Sequence, residues 1–297
     1  MALVHFVSGK GGVGKSAVAA GLALAYARRQ KRTLLVELSS ESFYQEAFGT
    51  KFSSVPSPWR EGVEIAVWNG PSCLREYALH LLKSETLYRL FFENNVSKTL
   101  IQVAPGLSEI AILGKITSGP PRNVGPKMPY DVLVVDAFAT GHFLALLKAP
   151  FGFSQAIRFG PMGEQTRSMI EVIQNSDLCR YLLVTLAEDL PVAETKELKG
   201  DLEKFIPVKA HVAVNRWLEP PPGTGGPPAF LEYLRRTEKR QAAALAAFTR
   251  GVCGGAGGTD LGGAAHAGEN VSRLPWIFSP HFGEVAEGLA KEFDTHV

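Results

Sequence analysis

The 297-residue sequence predicts an α/β fold, a doubly wound, mostly parallel sheet with an inserted helical subdomain. Short runs rich in Val and Leu alternate with helical patterns, and that order places helices on both faces of a parallel sheet. Several of the runs are apolar throughout, as strands buried on both sides require. The stretch 70–129 is helically patterned and long for a link between two strands, so it is expected to be the insertion. One α/β domain of this length is ordinary, and residues 1–297 are taken as a single domain.

Strands are expected at 3–8, 33–38 (Thr-Leu-Leu-Val-Glu-Leu), 62–68, 131–136 (Asp-Val-Leu-Val-Val-Asp), 180–186, 208–214 and 273–278. Helices fit 14–29, 72–83, 85–94, 142–149, 163–176, 192–205, 228–250 and 283–294. The Pro/Gly-rich stretch 219–228 and the Gly-rich stretch 251–268 have too little apolar surface to pack a core and are expected to be loops.

Composition narrows the function. Basic and acidic residues number 31 and 29, for a net charge of +2, which gives no electrostatic case for a nucleic-acid partner or an anionic membrane. The three cysteines, Cys73, Cys179 and Cys253, lie far apart, and no CxxC pair supports a zinc site. Free thiols and an N-terminus without a basic leader point to the cytoplasm. The most apolar window, 131–153, contains Asp131, Asp136, His142 and Lys148, and reads as a strand and helix rather than a membrane span.

Residues 9–16, Gly-Lys-Gly-Gly-Val-Gly-Lys-Ser, fit the phosphate-loop pattern G-x-x-x-x-G-K-[ST] between an apolar run and an Ala-rich helix. Glycines let successive N–H groups turn toward phosphate oxygens, and the helix N-terminus adds positive potential. Gly11, Gly12, Val13, Gly14, Lys15 and Ser16 are therefore expected to bind ATP, with Lys15 reaching the β- and γ-phosphates and Ser16 holding Mg²⁺. The fold is then that of a P-loop NTPase. The strand ending in Asp136 has Walker B form, in which the carboxylate holds the Mg²⁺ hydration shell.

Two further features carry a family resemblance. Lys10, in Lys-Gly-Gly-Val-Gly-Lys-Ser, is not needed for the cradle, because Lys15 fills that role. It resembles the extra lysine of dimerising, deviant Walker A ATPases, which crosses a subunit interface to the partner's nucleotide; a solvated surface lysine is the plainer alternative. After Asp136, the segment Ala-Thr-Gly-His with Thr140, Gly141 and His142 resembles switch II of the ArsA/Get ATPases, which drive arsenite pumps or target tail-anchored proteins. Glu188-Asp189-Leu190 with Glu194-Thr195, Pro105-Gly106 with Glu109, and Val214-Asn215-Arg216 also resemble that family. The resemblance implies that Asn215 pairs with adenine, though a structural Asn at a turn is the other possibility. It further implies a homodimer, or a heterodimer with a related ATPase, acting on a protein client or membrane partner. A ParA/MinD-like positioning ATPase is a further alternative, but Phe282–Val297 is short and has little of the basic amphipathic character that membrane binding uses.

The departures bear on chemistry. Where the family has an Asp that positions the attacking water, this chain reads Glu37-Leu38-Ser39-Ser40-Glu41, with Ser39 at the Asp position. A hydroxyl is a poor substitute for a carboxylate there. Glu41 or Glu37 could take over; otherwise hydrolysis is slow, or the chain is an ATP-binding regulatory subunit of a heterodimer. Lys10, Lys15 and Glu41 are thus the expected catalytic residues, and Ser16 and Asp136 the expected metal ligands. Only Met128 falls in the presumed client region, unlike a Met-rich groove. Its apolar residues, such as Leu79, Leu82 and Phe91, read equally well as plain core.

Overall fold

The computed structural model describes residues 2–82, 106–119, 128–157, 161–219, 223, 225–250 and 270–296. The strands are β1 (Leu3–Gly9), β2 (Thr33–Leu38), β3 (Ser57–Pro58), β4 (Val63–Trp68), β5 (Val132–Ala139), β6 (Cys179–Leu186), β7 (His211–Trp217) and β8 (Val271–Pro275). The helices are α1 (Lys15–Arg28), α2 (Phe43–Phe48), α3 (Gly70–Leu82), α4 (Leu107–Ile116), α5 (Thr140–Ala156), α6 (Pro161–Ile173), α7 (Asp189–Glu203), α8 (Pro228–Arg250) and α9 (Phe282–His296).

The strands form one sheet in the order β3-β4-β2-β5-β1-β6-β7-β8. All neighbours are parallel except β3, which pairs antiparallel with β4. The fold is the expected P-loop α/β arrangement. β1 lies between β5 and β6; the chain leaves β1 toward β2 on one side and leaves the adjacent β5 toward β6 on the other. The crevice at the carboxyl end of such a strand is where ligands of open α/β sheets bind.

Alternation along each strand divides the core into two layers. Val4, Phe6, Val36, Leu133 and Val135 face one way, onto residues of α4, α5, α6 and α7. Val7, Leu35, Ile65 and Val134 face the other, onto α1 and α9. On the first side Phe6 stacks on Tyr181 at 5.5 Å and meets Phe143 at 6.0 Å. Each such fully buried side chain contributes about 1.5–3 kcal/mol. α1 is unusual in being buried all round, from Ala17 to Ala27. Its Ala-rich composition permits this, because small side chains let the sheet and α9 approach closely.

Several boundaries differ from expectation. The helix expected to stop at residue 149 continues through the buried Pro150 to Ala156, because Leu146, Leu147 and Pro150 together fill the core. The last strand ends at Pro275; Trp276 and Phe278 leave the sheet and stack on each other in the open. α2 and β3 were not foreseen. The expected helix 85–94 and the Gly-rich loop 251–268 lie outside the described residues, as does much of the presumed insertion. α4 packs its apolar face, Ile110, Ile112, Leu113 and Ile116, into the same core as Phe6. No described helix is long and apolar enough to cross a membrane.

Candidate functional site

The loop between β1 and α1 is shaped by backbone that only glycine supplies. Gly9 has φ 151°, and a Cβ there would fall 2.1 Å from the Val184 carbonyl oxygen of β6. Gly14 has φ 91° and caps α1, and a Cβ there would lie 2.4 Å from Asn215 Nδ2. A side chain at either position would displace the loop. Gly11 and Gly12 are exposed, with open space beside them. The concave side of the loop is therefore bare backbone at a helix N-terminus, the chemistry that accepts an anion.

Lys15, Ser16 and Asp136 meet at this crevice. Lys15 Nζ donates to the Lys10 carbonyl at 3.1 Å, folding back over the loop. Partial burial lowers its pKa, and Asp136 counteracts that shift. Asp136 is 6% exposed. Burial pushes its carboxyl group up to about 6, while hydrogen bonds from Ser16 and Tyr44 and the charge of Lys15 pull it down. The set of oxygens and one cationic side chain suits a phosphate with a hard divalent ion.

The remaining expected residues occupy other places. Lys10 is not without a partner in its own chain: Nζ pairs with Glu194 Oε1 of α7 at 2.7 Å, both side chains about one-third exposed. Asn215 is buried, and its Nδ2 donates to the Val13 carbonyl at 2.8 Å. The adenine pairing implied by the resemblance uses that donor, which here braces the loop from beneath. Glu41 is exposed and lines an open cavity of about 830 Å³ with Ser40, Gln45, Glu46 and Phe52. Ser39 Oγ accepts from the Glu41 N–H at 3.1 Å and also hydrogen-bonds the Glu41 carbonyl, so it closes a local turn. His142 stands exposed in the first turn of α5, its ring 6.1 Å from Phe138 and edge-on to it.

A family model described as an anion-transporting ATPase matches residues 2–159. The chain belongs to that family. The match takes in the loop, Asp136 and His142; Glu194 and Asn215 lie beyond it. Among relatives of this ArsA family member, ATPase BagA of Mycobacterium tuberculosis is 30% identical over 225 residues, covering 72% of this chain and 64% of the relative. The chain thus spans somewhat less than two-thirds of that mycobacterial protein. ATPase GET3 of Malassezia globosa is 26% identical over 261 residues, covering 74% of each. A putative arsenical pump-driving ATPase of Halobacterium salinarum is 25% identical over 249 residues, covering 77% of this chain and 37% of the relative.

Tyr44 escaped the sequence, and Glu37, read there as a possible stand-in for the water-positioning Asp, is instead engaged at the start of α2. Tyr44, fully buried on α2, points its hydroxyl to Asp136 Oδ2 at 3.1 Å and to the Ser16 carbonyl at 3.0 Å. Glu37, 4% exposed, accepts from Ser42 Oγ at 2.6 Å and from the Phe43 N–H at 2.7 Å. A signal for α2 was present: Ser42 and Gln45 have capping-box spacing, with the Gln45 N–H donating to Ser42 Oγ at 3.0 Å, and Gly49 ends the helix at φ 64°.

Proposed function

We propose that this ArsA-family protein is an ATPase that binds Mg-ATP at residues 11–16 and works as a nucleotide-dependent dimer. The observation that carries this is the convergence of Lys15, Ser16 and the buried Asp136 on a loop whose concave side is bare backbone. Lys15 and the loop N–H groups hold the phosphates, and Ser16 with Asp136 holds Mg²⁺. The ion supplies charge neutralisation on the phosphate oxygens. Lys10, once released from Glu194, provides a second cation for a phosphate bound in a partner copy. A one-third-exposed ion pair contributes little stability, so it exchanges readily for such a partner. Hydrolysis is slow, because Ser39 spends its hydroxyl on the Glu41 backbone and offers no carboxylate to orient water. That same turn favours, as a second reading, a regulatory subunit paired with an intact ATPase. In the main reading the dimer switch acts on a protein or membrane-associated client.

One experiment tests the main reading. Light scattering and calorimetry with a non-hydrolysable ATP analogue and Mg²⁺ are expected to show binding and dimers for the wild type. Lys15→Ala should lose binding by about 100-fold, or 2.7 kcal/mol. Lys10→Ala should bind but remain monomeric. Unchanged affinity in Lys15→Ala overturns the nucleotide site, and wild-type dimers in Lys10→Ala overturn the cross-copy role.

A further inference from the structure

α2 is a six-residue helix that the fold holds at two points. Glu37 of β2 fixes its start, by accepting from Ser42 and from Phe43 N–H. Tyr44 fixes its body. The ring stacks on Phe48 at 5.7 Å and meets Phe282 of α9 edge-on at 6.1 Å. Those ring contacts need no hydroxyl; a phenylalanine would make them equally well. The hydroxyl instead lies against Asp136 and the Ser16 carbonyl, in the interior, beside the two residues assigned to the metal. A phenol has one proton to donate, so these two acceptors share it.

We propose that Tyr44 is a positioning residue for the metal half of the site: its hydroxyl sets the orientation of the Asp136 carboxyl group and so ties α2 to metal occupancy. The proposal rests on the Mg-nucleotide reading above. Asp136 is now hydrogen-bonded by both Ser16 and Tyr44. A Ser16 hydroxyl that turns to a cation withdraws from Asp136, and Tyr44 is then the side-chain hydrogen-bond donor left on it. The Tyr44 hydroxyl then donates to Asp136 alone, and the tie from α2 to the Ser16 carbonyl slackens. The six residues after the serine-bearing turn thereby register the ion although none of them ligates it. Asp136 pairs with Glu37 across β5 and β2, so both anchors of α2 sit on adjacent strands at the same level.

The test is Tyr44→Phe in the full chain, reading ADP affinity by calorimetry across a Mg²⁺ titration, with a thermal melt as the fold check. The variant is expected to stay folded, melting only slightly below the wild type, and to bind ADP normally without Mg²⁺. The Mg²⁺ concentration for half-maximal tightening should rise roughly tenfold, which is about 1.4 kcal/mol. A folded variant with the wild-type Mg²⁺ dependence overturns the proposal. A wild type whose ADP affinity ignores Mg²⁺ overturns the nucleotide-site reading instead. A second measurement needs no variant: hydrogen exchange at amides 43–48 of the wild type, with ADP and with Mg-ADP. A change in protection on adding Mg²⁺ supports the coupling, and identical protection overturns it, which also decides the matter should the variant fail to fold.

Discussion

The loop at 9–14 and the segment at 39–43 both leave the carboxyl end of a parallel strand and both open a helix, yet they are built in opposite ways. In the first, glycine leaves open space beside the loop at Gly11 and Gly12, and Gly14 caps α1 with no side-chain hydrogen bond. In the second, side chains cap the start: Glu37 accepts from the Phe43 N–H, Ser42 from the Gln45 N–H, and Tyr44 reaches Asp136 of β5. N–H groups taken up by such caps are not available to a ligand. On the proposed function, the end of β1 is a place to bind and the end of β2, one strand away across β5, a place to brace, although both obey the same helix rules.

Breaking the brace gives the largest expected effect. Glu37→Ala leaves the Ser42 hydroxyl and the Phe43 N–H without their buried acceptor. The expected loss is about 3 kcal/mol in urea unfolding, at roughly 1–3 kcal/mol for each stranded group. Early proteolytic cleavage between residues 39 and 49 should accompany it. A loss near zero would show that α2 stands without Glu37.

The cradle depends on β1 and α1 staying together, and their far end is joined by the buried His5, 2.7 Å from Tyr26 Oη. Burial, and then the charge of Arg180, lowers the His5 pKa from 6.5 to about 3. The folded state thus keeps this ring neutral while the unfolded chain protonates below pH 6.5. Stability from this residue is complete above pH 6.5 and falls as pH drops toward 3, by about 2 kcal/mol at pH 5. Acid titration of unfolding checks this, with His5→Leu expected to flatten that part of the curve.

The smallest effect sharpens the comparison at the turn itself. Ser39→Asp returns a carboxylate to the strand end and is expected to raise slow ATP turnover about tenfold, worth about 1.4 kcal/mol of barrier. Glu41→Gln, on the open side of α2, should leave ATP affinity unchanged. A Glu41→Gln enzyme that binds ATP but has lost turnover would make Glu41 the water-positioning group and Ser39 a bystander.

The glycine-built region was legible in sequence because its information is local. Gly9 to Ser16 are contiguous, and the residue types name the chemistry. β2, at 33–38, and α8, at 228–250, matched their expected limits, since continuous apolar runs and long amphipathic patterns average over many positions. The braced region was not legible. A six-residue helix is too short for periodicity, and only its caps announced it. Asn215 and Glu194 were singled out by resemblance, but their partners, Val13 and Lys10, lie 202 and 184 positions away. Spacing cannot supply such contacts; the strand order does, by placing β6 next to β1 and β7 next to β6. The helix expected at 142–149 runs on to Ala156 for a related reason, since a proline's local penalty gives way at the buried Pro150.

β3 is two residues long, runs against its neighbour and ends in Pro58 at the border of the sheet. A proline offers no amide hydrogen to an incoming strand, and so short a border gives little template for one. Growth of the sheet from copy to copy is thereby blocked at this margin. Crowded or partly unfolded molecules are denied one route to fibrous aggregation, and any ordered pairing of copies must use another surface.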